Sequence, residues 1–203
     1  VQVVITMLPD GEILKKVAEE ILPIMTPGSI LLDCSTVDVK STLEVANMAS
    51  KFDVGALDAP VSGGILGAEA GTLTFMVGGN ETDFNKTQEL LDIMGQKSVL
   101  CGPAGSGQAV KICNNMILGA TMIATCEAFA LADKLNLSRE KMFEVVSTSS
   151  GYSWSMNAYC PAPGVKVSDL TNATAAATDE NQLGFGMRLI EQRLQVARAV
   201  KVQ

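Results

Sequence analysis

The stretch "GPAGSGQAVKICNNM" (Gly102–Met116) decides how the chain is read. Glycines at 102, 105 and 107 precede Lys111, so the segment has the look of a phosphate loop running into a helix. Two features argue against a nucleotide role. A GxGxxG fingerprint follows the first strand of a βαβ unit, whereas these glycines close a run of alternating strands and helices. A P-loop lysine is followed by Ser or Thr, whereas Lys111 is followed by Ile112. What remains is a pair: Lys111 and Asn115 lie four apart and share one face of an otherwise nearly uncharged helix. A lysine in a packed junction is costly unless it faces a polar cleft. Such a cleft also lowers its pKa and frees the neutral amine to act as a base. The alternative is a snorkelling lysine with its head in water.

N-terminal to this stretch the chain alternates. "VQVVITML" (1–8) is a continuous apolar run, as expected of a strand buried on both faces. "SILLD", "VGALDAP", "TLTFMVGG" and "KSVLC" are further strands. "EILKKVAEEIL", "DVKSTLEVANMASKF" and "ETDFNKTQELLDIMG" have helical spacing. The alternation predicts an α/β fold with a largely parallel sheet. C-terminal to it the pattern turns all-α: a long apolar helix from Gln108 to Asp133, a helix in "SREKMFEVVSTSS" opened by Ser138 as N-cap, an irregular loop "GYSWSMNAYCPAPGV", and a helical tail from Phe185. The expected organisation is a Rossmann-like domain over residues 1–104, then an incomplete all-α domain over 105–203 built on a long interdomain helix. With Val1 opening inside an apolar run and no Met start, the chain reads as an excised piece.

Composition narrows the chemistry. Of 203 residues, 47% are hydrophobic and 18% charged, which predicts a packed core rather than disorder. A net charge of −7 without a long basic run argues against a nucleic-acid surface. No continuous apolar stretch reaches the roughly 18 residues of a membrane span, and no membrane partner is expected. The five cysteines form no CxxC and read as reduced core thiols. The chain has no histidine, which excludes a His base, a Ser-His-Asp triad and the usual zinc sites. No metal is expected.

Three further turns are candidate ligand contacts. "MLP" (Met7–Pro9) ends a strand, at the edge where open α/β sheets collect ligands. "DCST" (Asp33–Thr36) ends the next strand, where Ser35 and Thr36 either cap the following helix or donate to a ligand. "DAPVSGG" (Asp58–Gly64) joins the Ser62 hydroxyl to two glycines whose N–H groups can approach a carboxylate closely.

Together "ITMLP", "LLDCST", "DAPVSGG", "GTLTFMVGG", "GPAGSGQAVKICNNM" and "SSGYSWSMNAYCPAPGV" resemble the β-hydroxyacid dehydrogenase family, in the branch acting on 3-hydroxyisobutyrate. The motifs fall in family order from residue 1 to about 165. The resemblance implies NAD(P)-dependent oxidation of a small 3-hydroxy acid to the aldehyde, with NAD as the expected cofactor and a homo-oligomer (dimer or tetramer) as the expected assembly. It implies the mitochondrial matrix in a eukaryote and the cytoplasm otherwise. It gives Lys111 the role of general acid/base and Asn115 that of orienting the substrate. It gives Ser62, Gly63 and Gly64 the substrate carboxylate, and Met7, Leu8, Pro9 and Thr36 the cofactor. Two departures stand out. The family's GxGxxG and the residue selecting NAD or NADP would precede Val1. In "FGMRLIEQRLQVA", Gln192 replaces a family lysine that reaches cofactor and substrate, and Arg193 replaces an aspartate.

Overall fold

A computed structural model describes residues 1–162 and 165. The expectations placed on the tail, including Gln192 and Arg193, lie outside the described residues. Residues cluster into two compact units that divide between Lys111 and Ile112.

The first unit is an α/β sheet with helices. Its elements are β1 (Val3–Thr6), α1 (Gly11–Ile21), β2 (Ile30–Asp33), α2 (Val39–Ser50), β3 (Gly55–Asp58), β4 (Val61–Ser62), α3 (Gly64–Glu69), β5 (Leu73–Gly78), α4 (Glu81–Met94) and β6 (Gly95–Gly102), then the start of α5 (Ser106–Lys134). The strand order is β1-β2-β3-β5-β4, with β6 also pairing β5. β1, β2 and β3 run parallel in unbroken register, and β5 and β6 are also parallel, with register shifts. β5 is antiparallel to β3 and β4. The sheet is therefore mixed around a parallel majority.

Local chemistry explains the helix starts. Asp10 opens α1 by accepting from the Ile13 N–H at 2.8 Å, Asp38 opens α2 through Ser41, and Asn80 opens α4 through Thr82. Each satisfies an N–H left unpaired at a helix start. Ser35 and Thr36 do not cap α2, because Asp38 takes that place. β2 is buried at every position, and its alternating residues divide between two cores. Ile30 and Leu32 pack with Leu57, Phe75, Val77 and Leu91. Leu31 packs with Leu14, Ala18, Leu22, Val45 and Ala49. A strand covered on both faces needs the continuous apolar run seen in the sequence.

Among the described residues β1 pairs with β2, and Ile5 is 43% exposed.

In the second unit, α5 continues to Lys134, α6 spans Arg139–Val146 and α7 spans Trp154–Asn157. Ser138 caps α6 as expected. α7, opened by Ser153, occupies part of what the sequence reads as irregular loop. Phe129, Met156, Cys160 and Ala162 form a small core with Met142, Phe143 and Val146 at its margin. All five cysteines are free. The core-thiol expectation holds for Cys34 and Cys160, while Cys113 and Cys126 are exposed. Burial pushes the Cys34 thiol up to about 12, so it stays protonated and unreactive.

α5, at 29 residues, is long and apolar enough to cross a membrane by length and composition. A count of uninterrupted apolar residues does not find it, because polar residues punctuate the helix. Core helices of water-soluble domains pass the same test, and the first turns of α5 carry Gln108 and Lys111 bonded into the sheet unit.

Candidate active site

The glycine turn before α5 is occupied by the protein itself. β3 ends at Asp58, whose carboxylate is buried at the start of α5. Its Oδ1 accepts from the Gly105 N–H at 2.7 Å and its Oδ2 from the Gln108 N–H at 2.9 Å. Unpaired N–H groups at a helix start form an anion cradle, and here the anion is a side chain 47 residues away in sequence. The glycines permit the approach. Gly105 has φ +86, and a Cβ on Gly107 would collide with the Met76 carbonyl oxygen. Burial pushes the Asp58 carboxyl pKa up, and the bonds from Gly105 and Gln108 oppose that rise.

Gln108 fixes the same turn from the other side. Fully buried, it donates Nε2 to the Ser35 carbonyl at 2.8 Å and accepts from the Val37 N–H at 3.2 Å. The start of α5 is thus bonded to the ends of both β2 and β3.

One turn further, Lys111 reaches back to the sheet. Its Nζ donates to the Val61 carbonyl at 2.6 Å. Burial lowers the lysine pKa. The amine therefore lies beside the chain that continues into Ser62, Gly63 and Gly64. Ser62 is half-buried, and its hydroxyl has no hydrogen-bond partner among the described residues. Gly63 and Gly64 have φ +135 and +64 and are exposed, and a Cβ on Gly64 would meet nothing within 4 Å. Unlike the turn before α5, this glycine turn is open. Asn115 lies one helical turn beyond Lys111 on α5, in the second unit, and its Oδ1 accepts from Asn114 Nδ2 at 3.1 Å.

The turns ending β1 and β2 are joined by a buried relay. The Leu8 N–H donates to Ser35 Oγ at 2.8 Å, and that hydroxyl donates to Asp33 Oδ1 at 2.5 Å. Thr6 Oγ1 donates to the same oxygen at 2.8 Å. Burial raises the Asp33 pKa, against these bonds. The relay leaves Met7 63% exposed, Pro9 exposed and Thr36 half-buried at neighbouring strand ends. Dinucleotides lie across such carboxyl ends of parallel strands, and an exposed apolar shelf beside a hydroxyl fits one. The Leu8 N–H is already used, so Leu8 can offer only its carbonyl and side chain.

The structure thus brings Lys111 to the Ser62–Gly64 turn, and Met7–Pro9 to Ser35–Thr36. Sequence reasoning missed the structural roles of Asp58, Asp33 and Gln108. The available signal was two aspartates closing apolar strands, since a buried carboxylate must find donors.

A dinucleotide-binding α/β unit that leads into a lysine-bearing helix is the class defined by this geometry. Residues 1–102 match the family model for the NAD-binding domain of 6-phosphogluconate dehydrogenase. Residues 105–201 match the model for the NAD-binding of NADP-dependent 3-hydroxyisobutyrate dehydrogenase. The chain is 40% identical over 195 residues to a "Probable 3-hydroxyisobutyrate dehydrogenase" of Mycobacterium tuberculosis, covering 96% of the chain and 64% of the relative. It is 40% identical over 198 residues to the mitochondrial 3-hydroxyisobutyrate dehydrogenase of Mus musculus, covering 96% and 57%. A solved structure of the Mycobacterium tuberculosis 3-hydroxyisobutyrate dehydrogenase with L-serine superposes with TM-score 0.88 at 37% identity, covering 100% of this chain and 69% of that one. The chain belongs to the 3-hydroxyisobutyrate dehydrogenase family, and spans less than two thirds of the length of the two curated relatives, from Mycobacterium tuberculosis and Mus musculus.

Proposed function

We propose that the full-length protein oxidises 3-hydroxyisobutyrate to methylmalonate semialdehyde, a step of valine breakdown, with NAD as cofactor and Lys111 as general acid/base. The observation that carries this reading is the Lys111 amine, partly desolvated and held at 2.6 Å from the Val61 carbonyl beside the open Ser62–Gly64 turn. Bound NAD would supply the hydride acceptor. The protein's own residues do the rest. The Ser62 hydroxyl and the Gly63–Gly64 backbone bind the substrate carboxylate. Asn115 orients the substrate without adding charge. The Lys111 amine would accept the hydroxyl proton from oxygen as hydride leaves the carbon that bears the hydroxyl, and in reduction the ammonium returns the proton. Met7, Leu8, Pro9 and Thr36 flank the cofactor, and Gln192 is assigned there by family position alone. The mycobacterial relative was solved with L-serine, itself a 3-hydroxy carboxylate, which supports the substrate class.

The test is turnover of 3-hydroxyisobutyrate by the full-length protein with NAD and, separately, NADP. Turnover with NAD is expected, and Lys111→Ala is expected to lower kcat by about 10²–10⁴-fold. Retained turnover in that variant would remove Lys111 from the chemistry. A related semialdehyde reductase would turn over its own aldehyde faster. The Gln192 and Arg193 departures favour a second reading, a catalytically impaired relative acting as a binding or assembly subunit. NAD binding without any turnover would support it. The protein is further proposed to form a homo-oligomer, in the mitochondrial matrix of a eukaryote or the cytoplasm of a bacterium. A monomeric mass by light scattering would refute the assembly.

A further inference from the structure

Two short segments of the first unit run side by side with one sequence offset. Asp58 bonds the Gln108 N–H and Val61 bonds Lys111, each pair being 50 residues apart. One cross-link is a buried carboxylate on the helix backbone. The other is the lysine head on the strand backbone. Both strand-side residues flank Ala59 and Pro60, which are buried, and Pro60 restricts its own φ. Both helix-side residues lie within one turn of α5. The first link therefore sets the height and rotation at which the helix presents Lys111 to the Val61 carbonyl.

We propose that Asp58 is a positioning residue for Lys111, its carboxylate locking the first turn of α5 so that the amine is held, poor in water, beside the Ser62–Gly64 turn. This rests on the catalytic role given to Lys111. Asp58 acts through the helix, because its carboxylate bonds the Gly105 and Gln108 N–H groups while the Lys111 amine, whose pKa burial lowers, bonds Val61. The opposite sign would be expected if Asp58 acted directly, since a nearby carboxylate raises a lysine pKa. Gly78 and Gly107 support the assignment: a Cβ on either would fall within 2.8 Å of an Asp58 carboxylate oxygen. The backbone around this carboxylate is thus shaped to admit it.

The conservative change Asp58→Asn keeps the volume but turns an amide nitrogen toward one of two N–H donors. Misplacement of about 1 Å at a reacting group costs about 10²-fold in rate. In the full-length protein, Asp58→Asn is expected to lower kcat about 10²-fold with a much smaller loss of NAD affinity, because Asp58 reaches the Ser35–Val37 turn only through Gln108. The decisive readout needs neither cofactor nor turnover. The Lys111 amine is titrated by NMR in selectively labelled protein, with its resonance assigned through Lys111→Arg. Loss of the lock hydrates the amine, so its pKa is expected to move up in Asp58→Asn toward the ordinary 10.5. Asp58→Glu is expected to restore part of the shift. An unmoved lysine titration in folded Asp58→Asn overturns the proposal, as does a loss of NAD affinity equal to the loss of kcat. If Asp58→Asn does not fold, hydrogen exchange in the unaltered protein decides. Gly105 and Gln108 amides protected like those of β2 are expected, and rapid exchange at both overturns the proposal. Failure of the lysine reading itself shows up elsewhere, as turnover retained in Lys111→Ala.

Discussion

The two glycine turns of the sheet unit, Gly102–Gly107 and Gly63–Gly64, look alike in sequence and differ in kind. The first is filled: its N–H groups hold the Asp58 carboxylate, and Gly107 has no room for a Cβ beside Met76. The second is open: both glycines are exposed with positive φ, beside a Ser62 hydroxyl without a protein partner among the described residues. Glycine density therefore reports that something approaches the backbone closely. It does not report whether that something is a ligand or the protein itself. In this chain the turn that resembles a phosphate loop is a structural joint, and the plainer turn is where an anion can enter.

Substitutions that add a Cβ separate the two. Gly107→Ala is expected to have the largest effect on stability, because the added carbon meets backbone and not a movable side chain. A loss of about 3 kcal/mol or more is expected, equal to a fall in Tm of roughly 6–12 °C for a chain of this size. Thermal denaturation of the full-length protein measures it, and an unchanged Tm would mean that the joint is loose. Gly64→Ala is expected to cost only about 1–2 kcal/mol, the strain of a side chain in the left-handed region, while raising KM for the carboxylate substrate. A rise in KM for NAD instead would move that turn out of the substrate site.

The smallest effect is expected at Lys111, and with the opposite sign. Burial disfavours its ammonium, so the folded pKa lies below the unfolded value of about 10.5. Between those two values the unfolded chain holds more protons, and stability rises with pH. At neutral pH the charged lysine is therefore a net cost. Lys111→Met is expected to raise Tm at pH 7 by about 2–4 °C, and to lose the gain in stability that the unaltered protein shows as pH climbs toward 10. A lower Tm would show that the bond to Val61 outweighs the desolvation.

Local features were legible in the sequence. Ser138 caps the helix it was expected to open, whereas α2 is capped by Asp38 and not by Ser35 or Thr36. "SILLD" reads as a strand, and β2 is one, buried at every position. Non-local features were illegible for a physical reason. β5 runs antiparallel to β3 because β4 and the six-residue α3 intervene, both too short to leave a periodic signal. Lys111 could be picked out alone, since a charge on an apolar helix is conspicuous. Asp58 could not be assigned its donors, because those lie 47 and 50 residues away.

The central claim is that the partly desolvated Lys111 amine carries the proton. The pH profile of kcat/KM for 3-hydroxyisobutyrate oxidation by the full-length protein tests it most directly. Oxidation requires the neutral amine, so the rate should rise with pH through a midpoint below the lysine's ordinary 10.5 and then level off. The same limb should be absent from the residual activity of Lys111→Ala. A midpoint at or above 10.5, or the same rising limb in the variant, would contradict the account.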